Sequence, residues 1–307
     1  MHTRVFSSIK QRNQLACLEI RHPLFKADIL LQGAQLIYFK PEHCQDNWLW
    51  LSPEAKYQSG TSVRGGIPVC WPWFGNADKN PASVQQHISD PHQAAAHGFA
   101  RTQLWELMDI EESCDQVQVS MRLPNKNESR DNPSHWHGQA TLEAQFVLTA
   151  HECRVSLITT NSAPQPLTLS QALHTYLPTS DISNTKVYGL EDCRYADALI
   201  SDHQGWKQSI QRGPVAFTAE TDRVYQQKNN NRLRLQTPEG TTYLTAQGSQ
   251  SCIVWNPWIE KAKRLGQFGH QDYRNMVCIE TANALEDVVT VAPGQQHCLT
   301  LILSRDD

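Results

Sequence analysis

A histidine and a glutamate, far apart in the sequence, have the side chains needed for general acid and base catalysis. His174 lies in LSQALHTYLP, whose apolar and small residues indicate a largely buried strand, and Glu280 follows an apolar run in NMVCIETAN. A buried histidine is usually a hydrogen-bonded core residue. An exposed strand edge is the alternative for the glutamate, because a buried carboxylate without a partner is expensive. Placed in one cleft, the two would form an acid/base pair, each member contributing about 10²–10⁴-fold. The spacing does not show that they meet.

Two arginine segments could form an anion site. Arg64 lies in SVRGGIPVCWPWFG, where glycines allow close approach of backbone or ligand and prolines stiffen the chain. This segment could present a guanidinium on a rigid aromatic floor, or it could be a structural turn with Trp71 and Trp73 in the core. The segment HGFAR places His97 and Arg101 together. Arginine forks to phosphate oxygens, so two arginines at one pocket would indicate a phosphorylated ligand, although either alone is more often a surface charge.

Asp222 in AETDRVYQ is a weaker candidate for acid/base chemistry. An aspartate beside an arginine, here Arg223, commonly forms a local surface pair.

Metal and nucleotide chemistry have no support in the sequence. His135-Trp136-His137 has no third ligand at a useful spacing, and His87 and His92 stand in a polar segment, so we predict no metal site. The chain has no phosphate loop, no dinucleotide glycine fingerprint and no GxSxG elbow. We therefore expect neither a nucleotide cofactor nor serine hydrolysis.

Composition narrows the possible partners and the compartment. Lys and Arg number 27 against 31 Asp and Glu, a net charge of -4 without a basic stripe, which argues against nucleic acid as a partner. The nine cysteines are odd in number and never form CxxC, so they are interpreted as reduced thiols. No apolar run has the length of a signal peptide core or a membrane span. These features predict a cytoplasmic protein that does not interact with membranes.

The elements that must position these residues are predicted to be strands. Alternating runs such as ACLEI, VQVSMRL, ATLEAQFVLT and HCLTLILS are separated by turn sequences such as PNKN, TPEG and APGQ, and no helical stripe extends over three turns. This pattern predicts an all-β protein in which antiparallel sheets pack as a sandwich. No linker or repeat divides the chain, so residues 1–307 are predicted to be one domain. Segments 76–96 and 124–138 are predicted to be loops.

Six segments, taken in order, resemble the D-hexose-6-phosphate mutarotases, also called glucose-6-phosphate 1-epimerases, a branch of the aldose 1-epimerase superfamily. They are RGGIPVCWPWFG, HGFAR, ALHTYL, ETDRVYQ, VWNPW and MVCIETAN, and the resemblance extends over residues 25–303. It implies a large antiparallel β-sandwich, the galactose mutarotase-like supersandwich, with a sugar cleft on a concave face. It also implies an isomerase that interconverts the α and β anomers of hexose 6-phosphates, with glucose 6-phosphate as the expected substrate.

The resemblance also assigns roles to individual residues. His174 would be the general acid and Glu280 the general base, with no metal or organic cofactor. Arg64 and Arg101 would bind the substrate phosphate, and His97 would lie at the sugar near the reacting centre. Asp222 would bind the ring hydroxyls. The apolar floor under the sugar would be lined or supported by Trp71, Trp73 or Phe74.

Two departures from the family pattern concern specificity more than reaction type. Ala96 stands where a glutamine is expected in many relatives, and the 76–96 loop is long. Segment 266–273, GQFGHQDY, is less acidic than expected. Three other functions stay open on the sequence: a non-catalytic carbohydrate-binding sandwich, a mutarotase for unphosphorylated aldoses, and a sugar-processing hydrolase or lyase on the same scaffold. The last would need a second catalytic carboxylate near Glu280, and Asp222 is the residue that the sequence offers.

Overall fold

The computed structural model describes residues 6–124, 136–202, 205–226 and 231–306. Its strands are β1 (Ser7–Arg12), β2 (Leu15–His22), β3 (Phe25–Leu30), β4 (Gln35–Pro41), β5 (Val69–Cys70), β6 (Glu106–Glu112), β7 (Gln116–Leu123), β8 (Ala140–Thr149), β9 (Cys153–Asn161), β10 (Leu167–Leu169), β11 (Gln171–Leu173), β12 (Tyr176–Pro178), β13 (Lys186–Tyr188), β14 (Arg194–Asp202), β15 (Gly205–Ile210), β16 (Val215–Ala216), β17 (Thr221–Gln226), β18 (Arg232–Thr237), β19 (Gly240–Gln247), β20 (Ser251–Asn256), β21 (Met276–Asn283), β22 (Val289–Val291) and β23 (Gln296–Arg305). Its helices are short: α1 (Ala82–Gln85), α2 (Trp258–Ala262) and the 3₁₀ turns Ala77–Lys79, Ala100–Thr102, Ile182–Asn184, Asp272–Asn275 and Leu285–Asp287.

Two large sheets dominate this structure. The nine-stranded sheet has the order β16-β13-β18-β19-β23-β9-β8-β7-β6, and the eight-stranded sheet has the order β15-β14-β17-β20-β21-β11-β5, with β12 also paired to β21. Strands β1 to β4 form a third sheet, and β10 pairs with β22. Every strand pair among the described residues is antiparallel. The predicted antiparallel β-sandwich is thus confirmed.

The core between the large sheets follows from period-two alternation. In β8, for example, alternate side chains from Ala140 to Leu148 are buried while their neighbours face outward. Trp71 follows β5 and donates its indole N–H to Thr159 Oγ1 on β9 at 3.0 Å, which ties the sheets together. Both Trp71 and Trp73 are 1% exposed. The two tryptophans therefore belong to the core.

Strand β21 lies inside the eight-stranded sheet, and all eight of its residues are buried. Its neighbours on either side are β20 and the β11–β12 segment. Side chains alternate between faces, so Cys278 and Glu280 share one face while Val277 and Ile279 share the other. This arrangement places the glutamate at the middle of a covered sheet, and the alternative of an exposed strand edge is wrong.

The predicted loops are only partly irregular. Segment 76–96 contains α1 and the 3₁₀ turn Ala77–Lys79, and a single helical turn is too short for the periodic signal that the prediction relied on. Within segment 124–138, residues 125–135 lie outside the described part of the chain, and Trp136 forms an isolated bridge with Ile88. None of the helices in the described ranges is long and apolar enough to cross a membrane.

Candidate active site

A cavity of about 230 Å³ brings together four of the six residues proposed as a site from the sequence. The four are Arg64, His97, Arg101 and His174. The cavity is lined by Ser62, Val63, Arg64, Pro68, His97, Arg101, His174 and Tyr176. Segments that are distant along the chain, before β5, after α1 and between β11 and β12, thus converge at one point.

Glu280 lies behind this lining, in direct contact with His174. His174 Nε2 is 3.3 Å from Glu280 Oε1. The main chain fixes this approach, because the His174 N–H donates to the Pro68 carbonyl at 2.9 Å and the Ile279 N–H donates to the Thr175 carbonyl at 3.1 Å. The two side chains are 11% and 2% exposed, so water has little access to the contact. The histidine and glutamate that the sequence could not place together are neighbours.

Burial sets the protonation of this pair. It lowers the pKa of His174 to about 3, with the nearby Arg101 and Arg64 acting in the same direction. It raises the pKa of Glu280 well above its usual value; Asp222 adds to this effect and Arg101 opposes it. Both shifts favour the uncharged form of each group at neutral pH. Burial therefore favours one proton on the carboxyl, facing a neutral imidazole, and transfer across the contact would create a carboxylate and an imidazolium.

His97 is held as a hydrogen-bond donor toward the cavity side. The Gly75 N–H donates to His97 Nδ1 at 3.3 Å, and Cys70 Sγ lies 3.3 Å from the same nitrogen. Burial lowers the pKa of His97 well below its usual value, so the ring is neutral. Because Nδ1 accepts a hydrogen bond, the remaining proton is on Nε2. A neutral imidazole that donates from Nε2 can bind a sugar oxygen without titrating near neutrality.

The HGFAR turn has a backbone that few residues tolerate. His97 and Gly98 have φ angles of 66° and 67°, and Gly98 forms a bridge with Trp71. A Cβ atom at Gly98 would overlap the Trp71 carbonyl. Glycine is required here for both conformation and close approach. The turn is the element that aims the adjacent histidine.

Two guanidinium groups supply positive charge to the cavity. Arg64 donates from Nη1 to Tyr176 Oη at 3.2 Å and from Nη2 to the Gly266 carbonyl at 3.4 Å. Arg101 donates from Nη2 to the Ala96 carbonyl at 2.8 Å. Within the described ranges, neither arginine lies within 4.0 Å of a carboxylate oxygen, so the two charges are available to an anion. Position 96 contributes through its main chain, which any residue supplies.

Asp222 lies away from the cavity lining but on the same sheet face. The strand register aligns Asp222 with Trp255, then Cys278, then Tyr176 across four strands. Its partner is Lys261, whose Nζ is 3.7 Å from Asp222 Oδ2. Burial raises the pKa of Asp222 to about 6, although Lys261 opposes this shift.

The surface pair of Asp222 with Arg223 does not form. Consecutive residues of β17 point to opposite faces, and Arg223 Nε lies 3.8 Å from Asp197 instead. Sequence reasoning also missed Lys261, which comes from α2 and contacts Glu220 at 3.2 Å. The sequence around a lysine on a short helix does not indicate that its side chain will face the site. Trp255, which pairs with Asp222 across the sheet, lies within the VWNPW motif.

The histidines considered as metal ligands have other contacts. Among the described residues, no group of three or more His, Cys, Asp or Glu side chains could hold a metal ion. His135 lies outside the described ranges. His137 Nε2 is 2.6 Å from Ser89 Oγ, and the Thr168 N–H donates to His87 Nε2 at 3.3 Å.

The fold and the buried His–Glu pair together define a β-sandwich epimerase. The chain belongs to the aldose 1-epimerase family, whose model matches residues 16–304. It is 32% identical over 282 residues to the "Putative glucose-6-phosphate 1-epimerase" of Escherichia coli (strain K12), covering 91% of this chain and 87% of the relative. A protein with the same name from Cenchrus ciliaris is 28% identical, covering 88% of this chain and 78% of the relative.

A solved structure agrees with these relatives. The crystal structure of a "putative mutarotase" from Salmonella typhimurium superposes with a TM-score of 0.84 at 27% identity, covering 98% of this chain and 94% of that chain. The predicted family, fold and enzyme class, an isomerase, are confirmed.

Proposed function

We propose that this protein interconverts the α and β anomers of hexose 6-phosphates, with glucose 6-phosphate as the first substrate to test. The observation that supports this most directly is the 3.3 Å contact between His174 and Glu280. It lies beside a cavity lined by two guanidinium groups that form no ion pair with a carboxylate among the described residues. The names of the relatives from Escherichia coli and Cenchrus ciliaris support the same substrate. A dianionic phosphate would bind between Arg64 and Arg101.

The reaction needs a base at the C1 hydroxyl and an acid at the ring oxygen. The Glu280 carboxylate removes the hydroxyl proton while the His174 imidazolium protonates the ring oxygen, and the bond between C1 and that oxygen breaks to give the aldehyde. Both oxygens are bonded to C1, so their two partners must also be neighbours. Rotation about C1–C2 presents the other carbonyl face, and the reverse proton transfers close the opposite anomer.

The proton inventory of the pair fits this cycle. Ring opening converts a carboxylate and an imidazolium into a carboxylic acid and a neutral imidazole, which is the uncharged form favoured by burial of Glu280 and His174. Ring closure returns the proton to each starting group. One mobile proton in the pair is therefore sufficient, and no proton is gained or lost over a turnover.

Binding residues around the pair would fix the sugar. His97 would donate from Nε2 to an oxygen near the reacting centre, and Asp222 with Lys261 would bind ring hydroxyls. Anchoring the phosphate far from C1 would convert binding energy into orientation of the anomeric carbon. Trp255, on the same sheet face as Glu280, would provide the apolar surface against which a pyranose ring packs.

The test follows the approach of freshly generated α-glucose 6-phosphate to anomeric equilibrium. We expect wild type to accelerate it, and His174→Asn and Glu280→Gln each to lose about 100-fold or more in kcat. His92→Asn and Glu260→Gln are matched controls, because their exposed side chains lie at 82% and 76% relative exposure. If folded wild type gives only the spontaneous rate, a carbohydrate-binding protein without turnover becomes the better account.

The choice between phosphorylated and free aldoses rests on the arginines. Arg64→Met and Arg101→Met should raise KM for glucose 6-phosphate about 10- to 100-fold without raising KM for glucose. Equal losses on both sugars would favour a mutarotase of free aldoses.

We also infer one domain and a cytoplasmic location. One continuous cluster of buried residues extends from Leu18 to Leu303 and includes both large sheets. All nine cysteines are free thiols, which is typical of a reducing compartment. The net charge of -4 further supports a small-molecule substrate over nucleic acid.

A further inference from the structure

Tyr176 occupies the middle of a three-ring stack at the candidate site. Its ring lies 4.9 Å from that of His174 at an interplanar angle of 14°, and 5.7 Å from that of Trp50 at 23°. The main chain reinforces the stack, because the Trp50 N–H donates to the Tyr176 carbonyl at 3.0 Å and the Tyr176 N–H donates to the Gly66 carbonyl at 2.9 Å. With 2% exposure, the tyrosine ring has little room to move, so it fixes the plane of the imidazole.

The hydroxyl of the same tyrosine holds one of the cationic groups. Arg64 Nη1 donates to Tyr176 Oη at 3.2 Å. One side chain therefore contacts both the proposed phosphate anchor and the proposed acid. The ring and the hydroxyl make different contacts, so they can be removed separately.

The two arginines also interact electrostatically with His174. The positive charges of Arg64 and Arg101 lower the pKa of His174. An anion bound to these arginines would offset this effect and favour the imidazolium. Bound phosphate would then increase the fraction of the acid that can protonate the ring oxygen.

We propose that Tyr176 is a positioning residue that couples the anion site to His174, so that phosphate bound at Arg64 and Arg101 raises turnover in addition to affinity. This inference rests on the proposed function. It assigns the phosphate a role in catalysis that an anchor alone would not have.

The experiment divides the substrate into two pieces. D-Xylose has the reacting ring of glucose without C6, and inorganic phosphite supplies the dianion. Mutarotation of xylose is measured for wild type with increasing phosphite, at constant ionic strength maintained with chloride, and the rate without enzyme at each phosphite concentration is subtracted. We expect phosphite to raise kcat/KM for xylose by up to about tenfold, since a pKa change of one unit alters the protonated fraction by at most that factor.

Variants then locate the coupling. Tyr176→Phe keeps the stack and loses the hydroxyl, so activation, the ratio of kcat/KM with phosphite to kcat/KM without it in the same variant, should fall below about twofold. Tyr176→Leu also removes the stack and should lower turnover without phosphite. Tyr225→Phe is the control and should behave as wild type. It removes a buried hydroxyl that donates to Gln211 Oε1 at 2.8 Å and does not line the cavity.

Each outcome supports or overturns the coupling. Wild type that turns over glucose 6-phosphate but is not activated by phosphite would show that the phosphate is only an anchor. Full activation in Tyr176→Phe would show that the hydroxyl is not the link. The double variant Tyr176→Phe with Arg64→Met should show the same phosphite activation as Arg64→Met alone, since the hydroxyl acts through that arginine. If wild type accelerates neither sugar, the proposed function itself fails, a result distinct from the other two.

Discussion

Titration of Asp222 should produce the acid limb of the pH–rate profile. Burial raises the pKa of this carboxyl to about 6 against the opposing charge of Lys261. A group with that pKa is about 90% ionised at pH 7 and about 10% ionised at pH 5. Burial lowers the pKa of His174 to about 3, below this range. Burial raises the pKa of Glu280, so a variant at Asp222 is needed to separate the contributions of the two carboxyl groups to the acid limb.

The assay must use a substrate that does not itself titrate in this range, because a phosphate monoester has a second pKa near 6. With free glucose, kcat/KM of wild type should fall about tenfold between pH 7 and pH 5, since protonation of Asp222 removes the negative charge that makes it a strong hydrogen-bond acceptor for a hydroxyl. Asp222→Asn should be slower than wild type at pH 7 and flat over this range. Asp192→Asn, with an exposed side chain, is the control. An acid limb that persists unchanged in Asp222→Asn would refute this assignment.

The same pKa shift has a consequence for stability. The folded state binds the proton of Asp222 more tightly than the unfolded chain, whose value is near 3.8. The stabilisation of the folded state by this proton is fully present below pH 3.8 and is lost as the pH rises through about 6. The free energy of unfolding differs by about 3 kcal/mol between these two limits. Partial exposure of 27% and the loss of a partner for Lys261 reduce the expected gain of Asp222→Asn at pH 7 to about 1–2 kcal/mol. Urea unfolding at pH 4 and pH 7 measures it, and a variant less stable than wild type at pH 7 would contradict the reasoning.

Three further variants test other parts of the site. Lys261→Met should move the acid limb to higher pH, because the charge that opposes the raised pKa of Asp222 is removed; an unchanged or lower midpoint in the pH profile would contradict this. Trp255→Leu should raise KM for glucose and glucose 6-phosphate by similar factors of about 3- to 30-fold, since an aromatic surface binds the ring and not the phosphate; an effect on one sugar alone would be inconsistent. Gly98→Ala should lower the free energy of unfolding by about 2–4 kcal/mol, because alanine at a φ angle of 67° also meets the Trp71 carbonyl; urea denaturation at wild-type stability would refute it.

The fold was predictable because the pattern of apolar and polar residues within each strand is sufficient to identify that strand. In β8, alternation of large apolar and polar residues specifies both the strand and its buried face. Short hairpin turns between such runs leave few arrangements other than antiparallel sheets. The order of strands in the eight-stranded sheet is a different matter, since β21 pairs with β11 and β12 from much earlier in the chain. That pairing depends on the packing of the whole sandwich and has no local signal.

The site shows the same division. Glu280 was conspicuous because a carboxylate interrupts an apolar strand, and His174 because it stands in a buried one. Their contact could not be derived, since it depends on the distant pairing of β21. The tryptophans of WPWFG were assigned equally to core and floor, and a polar partner for Trp71, the hydroxyl of Thr159, became visible only in the packed sandwich.

Strand β21 carries a cost that the rest of the sandwich must offset. Its residues are all buried, yet Glu280 Oε2 and His174 Nδ1 have no hydrogen-bond partner among the described residues. A buried polar atom left unpaired costs about 1–3 kcal/mol, and the large apolar core between the sheets can supply that stability. A replacement that packed this position with an apolar side chain would remove the cost and, with it, the acceptors and the mobile proton. The buried polar pair that weakens the free protein is thus the pair on which the proposed chemistry depends, so the loss of stability accompanies the proposed function.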